Sequence, residues 1–150
     1  MESAASNSPK AAHRDRAFFE KAAKSGKKEV AVSQAVMGRL TNPQVEAFAN
    51  TMVADHTAAN TGLMRLAVSK GVAMPETDTA KLMEKWTEKD GSLDKKYLHE
   101  MIEDHEEAVK LFEKASKSDD AEIAAFAQRT LPTLQHHLQM AKDLKKTLSM

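Results

Sequence analysis

The chain has 150 residues, with Lys plus Arg and Asp plus Glu both at 22, so its formal charge is zero and the basic footprint of a nucleic-acid binder is missing. It contains no Cys, which excludes disulfides, thiolate nucleophiles and thiolate metal sites. Only 5 Gly and 4 Pro punctuate a composition rich in Ala, Leu, Lys, Glu and Met, which favours helices over strands. No apolar run approaches the ~20 residues of a transmembrane span.

Residues 1–15, "MESAASNSPKAAHRD", are small and polar and are expected to form a flexible N-terminal segment, leaving 16–150 as one domain. A first helix is predicted from Arg16 to Leu40, with Phe18, Phe19, Ala22, Val32, Val36 and Leu40 at helical spacing. "TNPQVE" then ends one helix and starts another: Thr41 or Asn42 caps, and Pro43 suits the first turn. The second helix carries Val45, Phe48, Met52, Ala59, Leu63 and Leu66 and stops at "SKGVAMPE", where Gly71 caps and Pro75 forbids continuation.

A short helix near Lys81 to Glu88, closed by Gly91, sits inside the long connection that follows, and its Trp86 is expected to pack on one end of the domain. The third long helix spans Ser92 to Lys117, and Asp119 or Asp120 caps the fourth, Ala121 to Leu148. Two short links and one long crossover between four amphipathic helices predict an all-α fold, a ferritin-like four-helix bundle.

Polar residues interrupt each apolar stripe at mid-helix. "MVADHTAA" (Met52–Ala59) places His56 on the stripe of the second helix, and "MIEDHEEA" (Met101–Ala108) places His105 on that of the third. The fourth helix contributes His137, in the row Ala127, Thr130, Leu134, His137, Ala141, and the first contributes Glu29. Asp55 and Asp104 point about 100° away from their neighbouring His and are expected to face adjacent helices or solvent. Imidazole and carboxylate ligands suit zinc, with copper or iron as alternatives, so Glu29, His56, His105 and His137 form a candidate metal site flanked by Asp55 and Asp104.

Counting from the breaks, Glu29 and His56 fall level, whereas His137 stands about one turn, ~6 Å, out of level with His105 unless the loop or a bend at Pro132 corrects it. Diiron sites of ferritin-like proteins use Glu-x-x-His spacing, which this chain lacks, so a metalloenzyme is disfavoured. The 9 Met are read as core filling.

"FFEKAAKSGKKEV", "TNPQVEAFANTMVADHTAAN", "YLHEMIEDHEEAVKLFEKA" and "AEIAAFAQRTLPTLQHHLQMAK" together resemble the bacterial family called domain of unknown function 4142, from about Phe18 to Leu144. The family's motif positions correspond to Glu29, Asp55, His56, Asp104, His105, Pro132 and His137. The resemblance implies a ferritin-like bundle, usually periplasmic or in the cell envelope. No export signal is visible, which leaves a cytoplasmic location open. Two functions follow as expectations: a metal-binding bundle that stores, buffers or senses a transition metal, or a structural or stress-response interaction protein whose histidines are only hydrogen-bonded. A homo-oligomer is compatible with either.

Overall fold

The computed structural model describes residues 12–87 and 92–149. It contains five helices: α1 (His13–Val36), α2 (Pro43–Ser69), α3 (Thr79–Thr87), α4 (Leu93–Ala115) and α5 (Ala121–Leu148). Among the described residues there is no strand, and no helix is long and apolar enough to cross a membrane. Residues 1–11, and Gly91 with its expected role in closing α3, lie outside the described residues.

Helix boundaries follow local chemistry. The Asn42 side chain accepts hydrogen bonds from the N–H groups of Gln44 and Val45, with Pro43 in the first turn. Asp120 does the same for Glu122 and Ile123 at the start of α5. Helix α1 already begins at His13, and it ends at Val36 rather than Leu40. Gly38 takes φ +83°, a left-handed conformation that terminates the helix, and its N–H donates to the Glu46 carboxylate.

Contacts between the long helices fix their directions. Gly26 of α1 faces Asn60 of α2, and Gly38 faces Glu46, so the two run antiparallel. Lys145 of α5 reaches His99 of α4, and Gln128 reaches the Ser116 carbonyl, so these also run antiparallel. Across the remaining seams α1 meets α4 through Lys28 and Asp104, and α2 meets α5 through Asp55 and His137. Thus α1 and α5 run one way and α2 and α4 the other.

Each end is tied by a link: the one after α1 bonds the start of α4, and the one after α4 bonds the start of α1. Asp94 accepts from the Thr41 N–H (3.0 Å), the Thr41 hydroxyl (3.2 Å) and the Asn42 N–H (2.9 Å). At the opposite end Ser118 donates to Asp15 at 2.9 Å. Helix α3 packs on α1, with the Trp86 indole 4% exposed and its carbonyl bonded by Arg39.

Apolar burial divides into two clusters, one around Phe18, Phe19, Leu63, Phe112, Ile123 and Phe126, the other around Val32, Phe48, Met52, Tyr97, Leu98 and Met101. Between them lies a layer of four buried polar side chains, one from each long helix: Glu29, His56, His105 and His137. Burying polar groups at the middle of a core costs several kcal/mol unless each finds a partner. Their partners therefore decide what the layer is for.

Candidate metal centre

The three histidines converge from α2, α4 and α5. Their ring centroids form a nearly equilateral triangle with sides of 5.2, 5.3 and 5.5 Å. One nitrogen from each lies within 4.8 Å of the others, in a spacing that could hold a metal ion. His56 is 6% exposed and His105 and His137 are 1% exposed, so the cluster is shielded from solvent.

Hydrogen bonding settles the proton positions on His105 and His137. His105 Nδ1 lies 2.8 Å from the Met101 carbonyl, which can only accept, so Nδ1 carries the proton and Nε2 keeps its lone pair. That lone pair faces His56 Nε2 at 3.2 Å. Two nitrogens bound to one tetrahedral zinc stand about 3.4 Å apart, given bonds of about 2.1 Å. His137 Nε2 lies 2.7 Å from Asp55 Oδ2 and donates to it, leaving Nδ1 as the acceptor. This His137 Nδ1 is buried and has no hydrogen-bond partner.

The same surroundings keep the rings neutral. Burial, reinforced by His105 and His137, pushes His56 down to about 3. Burial pushes His105 down to about 4 against the opposing effect of the Met101 hydrogen bond. His137 is also lowered by burial, with Asp55 working in the other direction. Neutral imidazole is the form that ligates metals.

His137 is level with its partners, which removes the expected one-turn mismatch. The α4–α5 connection absorbs the offset: Gln128, seven residues into α5, still reaches the carbonyl of Ser116 just past the end of α4. Beyond it Lys70 of α2 bonds Asp120 and Glu122 at 2.9 and 2.7 Å. Helix α5 runs unbroken through Pro132.

Glu29 stands apart from the three ligating nitrogens. Its nearest approach is Oε2 to His105 Nδ1 at 3.7 Å, the side of the ring already committed to Met101. Burial first, and then the charge of Asp104, hold its carboxyl well above the ordinary carboxylate range. Both Glu29 oxygens and Asp104 Oδ2 are buried, and the donor between the two carboxyl groups is the proton that Glu29 retains. Asp104 Oδ1 instead accepts from Lys28 at 3.1 Å. Sequence reasoning missed Lys28, although the pair Lys28–Glu29 repeats the offset of Asp55–His56: one residue inward, its predecessor turned to the seam.

A cavity of about 30 Å³ adjoins His56 on the α2 C-terminal side, with Gly26, Ala59, Asn60 and Ala108 among its walls. Its volume suffices for one water-sized molecule. A Cβ on Gly26 would come within 2.0 Å of the Asn60 amide oxygen, so only glycine lets Asn60 lie this close to α1.

Known proteins match the chain at the level of family and fold. Among curated proteins none matches it. A DUF305 fragment from Deinococcus radiodurans, known from a crystal structure, superposes with a TM-score of 0.80 at 12% identity, covering 93% of this chain and 99% of that one. At that identity the likeness is one of fold. The sequence profile of the domain of unknown function DUF4142 matches residues 1–144, and the chain belongs to that family.

Proposed function

We propose that the protein is a ferritin-like four-helix bundle that binds one divalent transition-metal ion through His56, His105 and His137. The observation that carries this reading is the convergence of three buried histidines with one ring nitrogen from each within 4.8 Å of the others, beside a buried His137 Nδ1 that has no hydrogen-bond partner. An all-imidazole set fits zinc best and also suits copper or iron. Asp55 holds His137 in the tautomer that exposes Nδ1, and the Met101 carbonyl does the same for His105 Nε2, as outer hydrogen bonds do at metal sites. The biological role in this proposal is storage, buffering or sensing of the metal in the cell envelope.

Isothermal titration of chelator-treated, untagged protein with zinc tests it. The expected result is one zinc per chain together with a raised melting temperature. Identical melting curves with zinc, copper and chelator would instead make the histidines hydrogen-bonded core residues of an interaction protein.

A further inference from the structure

The two Asp–His motifs are asymmetric along the bundle axis, and the asymmetry bears on the histidine centre between them. In "MVADHTAA" and "MIEDHEEA" a Met stands one turn before the histidine and an Ala one turn after it. Met52 and Met101 are fully buried in the apolar cluster that also holds Tyr97, so bulky side chains close that side of the polar layer. Toward the other cluster three helices each place a small residue one turn from their polar-layer residue: Gly26 of α1, Ala59 of α2 and Ala108 of α4. These three, with Leu134 one turn before His137, wall the cavity of about 30 Å³ beside His56. All four long helices line it, so it lies on the bundle axis, one layer from the three rings. Asn60 adds a polar amide to the wall, and a cavity with polar partners holds water where an apolar one stays dry.

We infer that the three-histidine centre keeps one coordination position open toward this cavity, for an exogenous ligand of about one or two heavy atoms, such as water, hydroxide or a diatomic anion. The inference rests on the metal reading above. Zinc held by three protein ligands leaves its fourth position to solvent or substrate, whereas structural sites close it with a fourth side chain. Glu29, the fourth polar residue of the layer, does not close it, because its nearest approach is to His105 Nδ1, the edge bonded to Met101. Ala59, Ala108 and Leu134, the next residues inward along α2, α4 and α5, carry no ligating side-chain atom. The fourth ligand is therefore supplied from outside the chain. Ser25 and Asn60 in the cavity wall are only half-buried, which brings the cavity to the α1–α2 seam.

Visible absorption of chelator-treated protein reloaded with Co²⁺ tests the assignment. One equivalent of cyanide should shift the cobalt bands while the metal stays on the protein through gel filtration. The same concentration of imidazole, too large for the cavity, should leave them in place. Ala108→Val, which narrows the cavity, should bind cobalt as before and cyanide at least about tenfold more weakly. Should that variant fail to fold, the wild-type contrast between cyanide and imidazole decides alone. Bands unmoved by cyanide, cobalt released by it, or an equal shift with imidazole overturn the open position and leave the histidine site standing. Absence of cobalt binding overturns the metal reading itself, and this inference with it.

Discussion

The α2–α5 corner and the α1–α4 corner of the polar layer use the same device and reach opposite chemistry. In each, an Asp–His pair sends the histidine to the centre and turns the aspartate to the seam, toward the inward residue of the neighbouring helix. Asp55 meets His137, a donor, and the two satisfy one another at 2.7 Å. Asp104 meets Glu29, a buried carboxyl that keeps its own proton, and Asp104 Oδ1 also accepts from Lys28 at 3.1 Å. One residue, His137 against Glu29, decides the difference. The local motif therefore sets direction, while the neighbouring helix sets chemistry: a histidine–aspartate pair at one corner, and a carboxyl–carboxylate pair at the other.

Removing a nitrogen breaks the comparison most severely. At a hundredfold excess over its dissociation constant, zinc should stabilise the wild type by about 2.7 kcal/mol. For a chain of this length that is about 5–10 °C in melting temperature. His105→Ala should abolish the shift, while Glu29→Gln should retain it. Equal loss in both variants, measured by differential scanning calorimetry, would make the two corners one site.

Acid and base should then separate the corners without metal. Unfolded histidine titrates near 6.5, whereas folded His56 and His105 resist protonation down to about 3 and 4. Their contribution to stability is complete above pH ~6.5 and falls by about 1 kcal/mol per pH unit for each histidine as the pH drops toward 4. Glu29 has the reverse sign. Its folded carboxyl keeps a proton that the unfolded chain loses near 4.5, so its contribution is complete below that pH and is lost as the pH rises. Denaturant melts in chelator should show Glu29→Gln equal to wild type at pH 4 and more stable by about 1 kcal/mol or more at pH 7. A constant difference across that range would remove the proton from Glu29.

The sequence made the layer legible because a polar residue on an apolar stripe must point inward, whatever the tertiary detail. That placed His56, His105, His137 and Glu29 in the core and turned Asp55 and Asp104 away. Level and partner were less accessible. His137 looked one turn out of register because residue counting treats the α4–α5 link as flat, whereas Gln128 is still bonded to Ser116. Glu29 looked like a ligand because one-dimensional spacing does not say which edge of the His105 ring it faces. That edge is Nδ1, and the Met101 carbonyl, one turn earlier, already holds it. The loss of helix after Val36 was also hidden, since Gly38 within "MGRL" gives weaker punctuation than the "TNP" that follows it.

Finer substitutions sharpen the contrast. Asp55→Asn keeps the shape of the side chain but weakens the hydrogen bond that fixes His137, and outer-partner losses of this kind cost about 10–100-fold in metal affinity. The lower end is expected, because the Asp55 side chain is 43% exposed and water screens its charge.

Asp104→Asn should have the smallest effect on zinc, less than about threefold, or about 0.6 kcal/mol. Asp104 touches Lys28 and faces Glu29, and neither of these presents an atom to the three-nitrogen cluster. The side-chain link from Asp104 to the histidines runs through Glu29 to His105 Nδ1, a 3.7 Å contact that competes with a 2.8 Å hydrogen bond to Met101. Competition zinc titrations of Asp55→Asn and Asp104→Asn under one buffer decide the point. If both lose affinity equally, the carboxylate corner tunes His105 as Asp55 tunes His137, and the asymmetry between the corners disappears. If only Asp55→Asn loses affinity, the oxygen corner is electrostatically separate from the histidines although it shares their layer.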